Sequence, residues 1–419
     1  MRALGALVRV AGIASLATFT WGCQFLSGVD GDLVLGAGGG DGPVGVEGEP
    51  LTWEATDPGA GPSPAYDLPN WLNIKNTSDM LTSQHGDVLK TGYGPDTARP
   101  RKVGDKKWGL AVEKARTNYV LDSAWYGVGW NPGAPSPMAV TPGEEDPAEE
   151  DGASGGVRFA SNGQEQSNWT TVEAGGVMAS SWVRGVTGTD PYAYFAFGDN
   201  WQDVKSGEWV RYEVPYTTGE KKLRLETQGF KPAPIMTSTS VIAFGAQVEE
   251  GKYPSSFIPT FGEARLRDAD ALDVREDSVA RNGWFSVTIR FAPHYAMGEM
   301  ESVHDIINLF RDQIFVRLQR DLETGAGTLL LRVPGSDAGV ANLKIGGLDW
   351  KRDQPLTVVA WSTPDGRFLS IEGADTGNGE ASSPVPAKPL VEPITKLSRI
   401  LGEKNGAQES ADLQYIQFR

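Results

Sequence analysis

One short segment places an indole ring among four polar side chains. It reads Asp199-Asn200-Trp201-Gln202-Asp203 and lies between two runs of strand-like pattern. Aromatic rings pack against the CH faces of sugar rings, and neighbouring amide and carboxylate groups bind sugar hydroxyls. The segment therefore predicts a saccharide contact at Trp201. The hydroxyl partners predicted for it are Asp199, Asn200 and Gln202.

Four further aromatic residues lie near glycine, asparagine or proline turns, where loops carry binding groups. They are Trp125, Tyr126, Trp130 and Trp169. For each of them the residues alone leave two interpretations open, a ligand contact or a place in the core. Tyr194, which lies inside a strand pattern, is predicted to belong to the core.

Paired carboxylates would be needed for glycoside hydrolysis, and acids two residues apart on a strand supply such a pair. The candidates are Asp268-Ala-Asp270-Ala-Leu-Asp273 and Glu299-Met-Glu301. The first occupies a segment between two units, and a solvated turn is the favoured interpretation of the second. We therefore predict no catalytic residue and a protein that is not an enzyme. A polysaccharide hydrolase or lyase remains the less favoured alternative.

The charge balance excludes one class of partner. The chain of 419 residues carries 38 Lys and Arg against 54 Asp and Glu, a formal charge of −16. Because nucleic-acid binding needs a surplus of Lys and Arg to neutralise phosphates, no nucleic-acid partner is predicted.

Cofactor chemistry is restricted by the scarcity of soft ligands. Cys23 is the single cysteine, so neither an internal disulfide nor a thiolate zinc cluster can form, and only three histidines are present. No cofactor is predicted, and a structural calcium ion is the remaining possibility. Asp375, Asn378 and Glu380 are oxygen donors on one turn, although a plain flexible loop is the favoured interpretation.

The first 22 residues have the pattern of an export signal, with Arg2 ahead of a mostly apolar run. Gly22-Cys23 resembles the lipobox of bacterial lipoproteins, which implies acylation of Cys23 and a membrane anchor that does not span the bilayer. The alternative is ordinary signal cleavage with Cys23 as a free thiol. Gln24 follows the cysteine, and the resemblance then implies secretion across the inner membrane to the outer membrane or cell surface.

From Trp71 onward, short apolar or alternating runs are separated by Gly, Asn, Asp and Pro. Lys222-Leu-Arg-Leu-Glu226 alternates with period two, and Asp365-Gly366 is a hairpin signal. Such runs predict an all-β fold of two antiparallel β-sandwiches. The Gly- and Pro-rich residues 23–65 cannot bury enough surface to fold, so they predict a disordered tether.

Two stretches resemble a module pair of bacterial and phage surface proteins. Trp108–Ser123 is similar to its entry segment, and Gly245–Thr260 to the closing strand and exit of its carbohydrate-binding-module-like jelly roll. Arg267–Leu272 resembles the link to a concanavalin A-like, laminin-G-like sandwich. The domains implied are a signal peptide at 1–22, a tether at 23–65, a jelly roll with its entry segment at 66–262 and a lectin sandwich at 263–419.

The resemblance implies a non-catalytic surface lipoprotein that binds glycan or polysaccharide through its β-sandwich modules. The alternative is a structural or adhesion protein whose sandwiches dock other proteins. Glu113, Arg116 and Asn118 of the entry segment are predicted to form a buried polar clasp, since a carboxylate and a guanidinium pair well when both are held in place.

Overall fold

Strands make up nearly all of the regular structure in the residues that the structure describes. The computed structural model describes residues 50–59, 64–79, 81–86, 88–103, 106–132, 139–144, 147, 155–161, 166–172, 175–186, 193–204, 207–227, 239–275, 284–309, 314–334, 340–383, 398–402 and 408–419. In these ranges the regular elements are β-strands and a 3-10 turn at Met297–Glu299, which confirms the all-β prediction. No helix of the described residues is long and apolar enough to cross a membrane.

The strands fall into three groups along the chain. The first group is β1 (Leu51–Glu54), β2 (Leu72–Lys75), β3 (Leu81–Gly86), β4 (Val88–Tyr93), β5 (Pro100–Val103), β6 (Gly109–Val112) and β7 (Arg116–Asn118). The second is β8 (Trp130–Pro132), β9 (Ala139–Glu144), β10 (Gly156–Ser161), β11 (Gln166–Thr171), β12 (Met178–Gly185), β13 (Ala193–Phe197), β14 (Asn200–Asp203), β15 (Val210–Pro215), β16 (Lys222–Thr227) and β17 (Thr239–Glu249).

The third group completes the described chain. It comprises β18 (Arg265–Arg267), β19 (Ala271–Val274), β20 (Phe285–Pro293), β21 (His304–Leu309), β22 (Ile314–Arg320), β23 (Gly327–Pro334), β24 (Val340–Leu348), β25 (Leu356–Thr363), β26 (Gly366–Glu372), β27 (Gly379–Ser383), β28 (Ser398–Ile400) and β29 (Ala411–Phe418). β25 and β26 form the predicted hairpin, in which Thr363 lies opposite Gly366.

The second group of strands forms one sandwich, here called the inserted sandwich. Its two antiparallel sheets have the strand orders β15-β12-β17-β10-β9 and β14-β13-β16-β11-β8. Alternation explains how the strands pack: Leu223 and Leu225 are fully buried between the sheets, whereas Arg224 between them faces away from the core. Phe159 and Val183 of the first sheet join the same core.

The first and third groups together form a larger sandwich, here called the host sandwich. One sheet has the order β27-β26-β25-β20-β29-β6-β5-β3-β4, with β1 also paired to β29, and the other has the order β2-β19-β28-β21-β22-β23-β24. Their inward faces share one apolar core, which includes Trp71, Phe291 and Leu331. The inserted sandwich thus interrupts the host sandwich, and the short pair β7–β18 lies where the chain enters and leaves it.

This strand pairing departs from two predicted boundaries. Leu51–Glu54, expected in the tether, pairs with β29, and Trp53 is buried in the host core because strand pairing gives it apolar neighbours. Strands β2 to β6, expected in the jelly roll, belong to the sheets of the host sandwich. The cause is that hydrogen-bond partners far apart in sequence cannot be read from a local pattern. The remaining division into domains stays a prediction.

The predicted polar clasp lies where the inserted sandwich begins and ends, and all three of its residues are buried. Asn118 uses its whole amide: Nδ2 donates to the carbonyls of Ala246 and Ile258, and Oδ1 accepts from the amides of Val120 and Val248. A buried amide with every polar atom satisfied ties the entry strand to the exit strand. The predicted burial of the three residues is confirmed, but they do not pair with one another: Glu113 binds Arg99 and Arg267, and Arg116 binds Glu301.

Candidate functional site

Five residues form a row across the outward face of the sheet β14-β13-β16-β11-β8, here called the aromatic row. Trp201 lies opposite Ala196, Ala196 opposite Arg224, Arg224 opposite Trp169, and Trp169 opposite Asn131. Neighbouring strands are about 4.8 Å apart, so the three steps between the two tryptophans correspond to about 14 Å. The register therefore places both indoles on one surface with a guanidinium between them.

The aromatic row is accessible and its side chains have fixed neighbours. Trp201 is 40% exposed, and its ring meets the edge of Tyr194 at 5.3 Å between centroids. The ammonium of Lys222 lies 4.5 Å from the centre of the Trp169 ring. Arg224 forms an ion pair of 3.0 Å with Glu226, so its guanidinium is oriented before any ligand arrives. The face combines rings, cations and a carboxylate.

The three polar residues that were predicted to bind sugar hydroxyls beside Trp201 form hydrogen bonds within the protein instead. Asn200 Nδ2 donates to the carbonyl of Pro215 at 2.9 Å, and Gln202 Nε2 donates to that of Glu213 at 2.7 Å. Successive strand residues point to opposite faces, so these amides cannot share the outward face with Trp201. They hold edge strand β14 against β15 of the other sheet. Asp199 accepts from the Thr218 hydroxyl in the adjoining turn.

Trp125 is not a surface contact, and the prediction that it touches ligand is wrong. Its side chain has no exposed surface, and its indole nitrogen donates to Ser181 Oγ at 2.9 Å. Its ring packs against Trp130 at 4.6 Å and against Phe159 at 5.9 Å between centroids. The turn that carries Trp125 folds inward, which the local Gly and Asn residues could not reveal.

Of the other predicted aromatic residues, Trp169 alone joins Trp201 in the row. Trp130 lies opposite Thr170, on the side of β8 that faces the core, and its indole nitrogen donates to the Asp122 carbonyl. Tyr126 is 43% exposed in the preceding loop and lies outside the row. Tyr194, expected in the core, is half-buried on the outward face.

Sequence reasoning missed Arg224, Glu226, Lys222 and Asn131 as members of this face. The alternation of residues 222–226 was the available signal, because it separates three charged side chains from two leucines. It could not say which strand would lie opposite Trp201.

Four of the five candidate catalytic carboxylates are held in ion pairs, and Asp268 accepts from the Thr77 hydroxyl. Glu301 binds Arg116 through two hydrogen bonds of 2.9 and 3.1 Å, and these bonds with Arg116 lower its pKa against the opposing effect of burial. Glu299 binds Arg352, and Asp270 binds Arg99 at 2.6 Å. A general acid needs a raised pKa, so Glu301 has the opposite electrostatic setting.

The predicted calcium donors are engaged in local contacts. Asn378 Oδ1 accepts from the amide of Ala374, and Asp375 lies 3.3 Å from the ammonium of Lys351. Glu380 lies on β27 opposite Ser370. Two of the three donors thus already serve the turn and an ion pair.

One other group of the described residues has the composition of a metal site. Donor atoms of His294, Asp353 and Asp412 lie within 4.8 Å of one another. Arg101 donates to both carboxylates, at 3.1 and 2.6 Å, and Lys106 lies 3.7 Å from Asp353. Because these cations already balance the two acids, the group is an ion-pair network of the host sandwich rather than a metal site.

Comparison with known proteins adds little to this geometry. No family model matches the sequence, and no curated protein matches it. Among solved structures, the enzymatically active domain of tailspike protein 2 of bacteriophage CBA120 is similar, with 15% identity and a TM-score of 0.25 over 36% of this chain and 23% of that chain. Full-length tailspike protein 2 from Escherichia coli O157:H7 bacteriophage CAB120 is similar at 13% identity and a TM-score of 0.24, over 36% and 22%.

Cys23 and the rest of residues 1–49 lie outside the described residues. The export signal and the lipid anchor therefore stay predictions.

Proposed function

We propose that this chain is a non-catalytic surface protein that binds glycan or polysaccharide on the outward face of the sheet β14-β13-β16-β11-β8. The observation that carries the proposal is the aromatic row, in which Trp201 and Trp169 flank Arg224 about 14 Å apart. Two indole rings at that separation can contact two different sugars of the same oligosaccharide, whereas a monosaccharide would reach only one of them.

The chemistry of the row matches the two sides of a sugar. The indoles offer flat apolar surface for CH groups, while hydroxyls need charged or amide groups in the plane of the ring edge. Arg224 and Glu226 offer donors and acceptors already fixed by their mutual ion pair, and Asn131 adds an exposed amide at the end of the row. A pre-organised polar group costs less entropy on binding.

The experiment is glycan-array screening followed by calorimetry with the array ligands. Trp201→Ala and Trp169→Ala are each expected to weaken binding by about tenfold or more, as loss of a central aromatic anchor does. Tyr126→Ala is the matched control, because Tyr126 is exposed to a similar degree outside the row. Unchanged affinity in both tryptophan variants would refute the proposal.

Two alternatives have their own outcomes in the same study. Docking of another protein is favoured by the exposed apolar side chains Leu121 and Phe261, where Asp122 and Phe261 form a β-bridge. Silence on the array, together with co-purification of a partner, would support that function. Sugar release from a polysaccharide panel that Glu301→Gln abolishes would support a hydrolase or lyase.

We also propose that Cys23 is acylated and anchors the mature protein at the outer membrane or cell surface. Removal of residues 1–22 would leave Cys23 at the new N-terminus, where the anchor requires it. Metabolic labelling with a radioactive fatty acid is expected to mark the wild-type protein and not Cys23→Ser. Equal labelling of both proteins would contradict the proposal.

A further inference from the structure

A second row of side chains crosses the seven-stranded sheet of the host sandwich. Its members, in the order of strands β24, β23, β22, β21, β28 and β19, are Asn342, Arg332, Phe315, Asn308, Arg399 and Asp273. Each lies opposite the next in the strand register. Five steps of about 4.8 Å give this row, here called the guanidinium row, a length of about 24 Å.

The guanidinium row faces away from the core of the host sandwich. Leu331, Val316 and Ile400, which alternate with its members along three of the strands, are fully buried in that core. Residues that alternate along a strand point to opposite sides of the sheet. Asn342 is exposed and Arg332 and Arg399 are half-buried, whereas Phe315, Asn308 and Asp273 are buried beneath the neighbouring side chains.

The charges along this row are unevenly compensated. Arg399 Nε lies 3.2 Å from Asp273, and Arg317 forms two hydrogen bonds with the buried Asp305. Arg317 and Arg332 both lie over the Phe315 ring, at 4.5 and 5.5 Å from its centre. In the described part of the chain, no carboxylate lies within ion-pair distance of Arg332.

An uncompensated guanidinium held by an aromatic ring is a selective group for anions. Guanidinium binds carboxylate through two parallel hydrogen bonds, and packing on a ring fixes its plane in advance. The chain as a whole carries a formal charge of −16 and therefore repels anions at long range. Binding of an anion at Arg332 would depend on the local contacts of this guanidinium.

We propose that the outward face of this sheet binds a linear acidic polysaccharide, with Arg332 pairing with a sugar carboxylate. Asn342, which is exposed opposite Arg332, would bind a neighbouring hydroxyl. The row is long enough for several sugars. None of the exposed large apolar residues found among the described residues lies in the row, so the row offers no exposed anchor for the apolar side chains of a peptide.

This site is separate from the aromatic row, because it lies on the host sandwich rather than on the inserted one. The two proposals therefore stand or fall independently. Trp201→Ala is expected to leave binding of acidic polysaccharide unchanged, whereas Arg332→Gln is expected to leave binding to the aromatic row unchanged.

The test uses polygalacturonate, alginate and hyaluronate as probes, with dextran as the neutral comparison, and measures affinity by electrophoresis in gels that contain each polymer. At least one acidic polymer is expected to bind more tightly than dextran, and to bind less tightly as salt rises. Arg332→Gln is expected to weaken that binding by about tenfold. Arg320→Gln is the matched control, since this exposed arginine ends β22 outside the row.

A second variant keeps the test decisive if Arg332→Gln folds poorly. Asn342→Asp changes an exposed side chain opposite Arg332 and should weaken binding by supplying a competing carboxylate. Failure of all three acidic polymers to bind, or equal binding by wild type and both variants, would overturn the proposal. Binding of poly-L-glutamate as tight as that of the polysaccharides would also overturn it, in favour of an acidic peptide.

Discussion

Arg99 and Glu113 form an ion pair of 2.9 Å in which neither side chain has exposed surface. Glu113 also lies 3.2 Å from Arg267, and Arg99 also binds Asp270 at 2.6 Å. Arg99 precedes β5 of the host sandwich, whereas Glu113 and Arg267 lie where the chain enters and leaves the inserted sandwich. One carboxylate thus joins the chain that precedes the inserted sandwich to the chain that follows it.

Glu113→Gln is expected to destabilise the protein by about 3–5 kcal/mol, because it leaves buried guanidinium groups without their carboxylate. The free energy of unfolding from urea titration measures this effect. Glu54→Gln is the control: its ion pair with Arg290 is of similar length, 3.0 Å, but Glu54 is half-exposed, so a change of about 0–1 kcal/mol is expected. Equal effects of the two variants would mean that burial does not set the contribution of the pair.

Acid is expected to destabilise the host sandwich through His304. Burial lowers the pKa of His304 to about 3, and its Nδ1 lies 2.7 Å from the Tyr295 hydroxyl oxygen. The unfolded chain binds a proton at this histidine below about pH 6.5. Between pH 6.5 and 3 the unfolded state therefore holds the extra proton, and stability falls as the pH falls.

His304→Asn should reduce this pH dependence, because an amide can still face Tyr295 but does not titrate. From pH 6.5 to 3, the wild-type protein is expected to lose roughly 3–5 kcal/mol more than the variant. Urea titrations across this range measure the difference. Parallel curves for both proteins would show that His304 does not contribute to acid lability.

Gly251→Ala is expected to destabilise the junction of the two sandwiches. Gly251 has a φ of 111°, a conformation that alanine adopts only with strain, and a Cβ there would overlap Arg116 and Glu301. The ion pair of these two residues would have to separate. Thermal denaturation should show a loss of about 2 kcal/mol or more, whereas Gly262→Ala, also at positive φ but with open space around it, should cost less.

The local sequence pattern was sufficient to predict where strands form and which side of a strand faces solvent. In residues 222–226 the alternation alone separated the buried leucines from the outward charges, and the structure confirms it. Side-chain direction in a strand has period two, so it depends only on neighbours along the chain. The same rule explains why Trp201 is outward and its neighbours Asn200 and Gln202 are not.

The alternation along a strand could not predict which other strands it would pair with. Trp201 and Trp169 share a row only because β14, β13, β16 and β11 pair in one register, and a shift by one residue would turn a strand's side chains to the opposite face. Trp125 had the surroundings of a surface ring, yet the core of both sheets surrounds it.

The sequence by itself therefore determined an all-β chain, an excess of acidic over basic residues and the burial of Glu113, Arg116 and Asn118. Tertiary structure decided that the strands before the inserted sandwich belong to its host and that side chains from six strands, five of them polar, form the guanidinium row. The physical reason is that strand pairing brings together residues as distant as Thr52 and Gln417, 365 positions apart, whose proximity no local sequence pattern encodes.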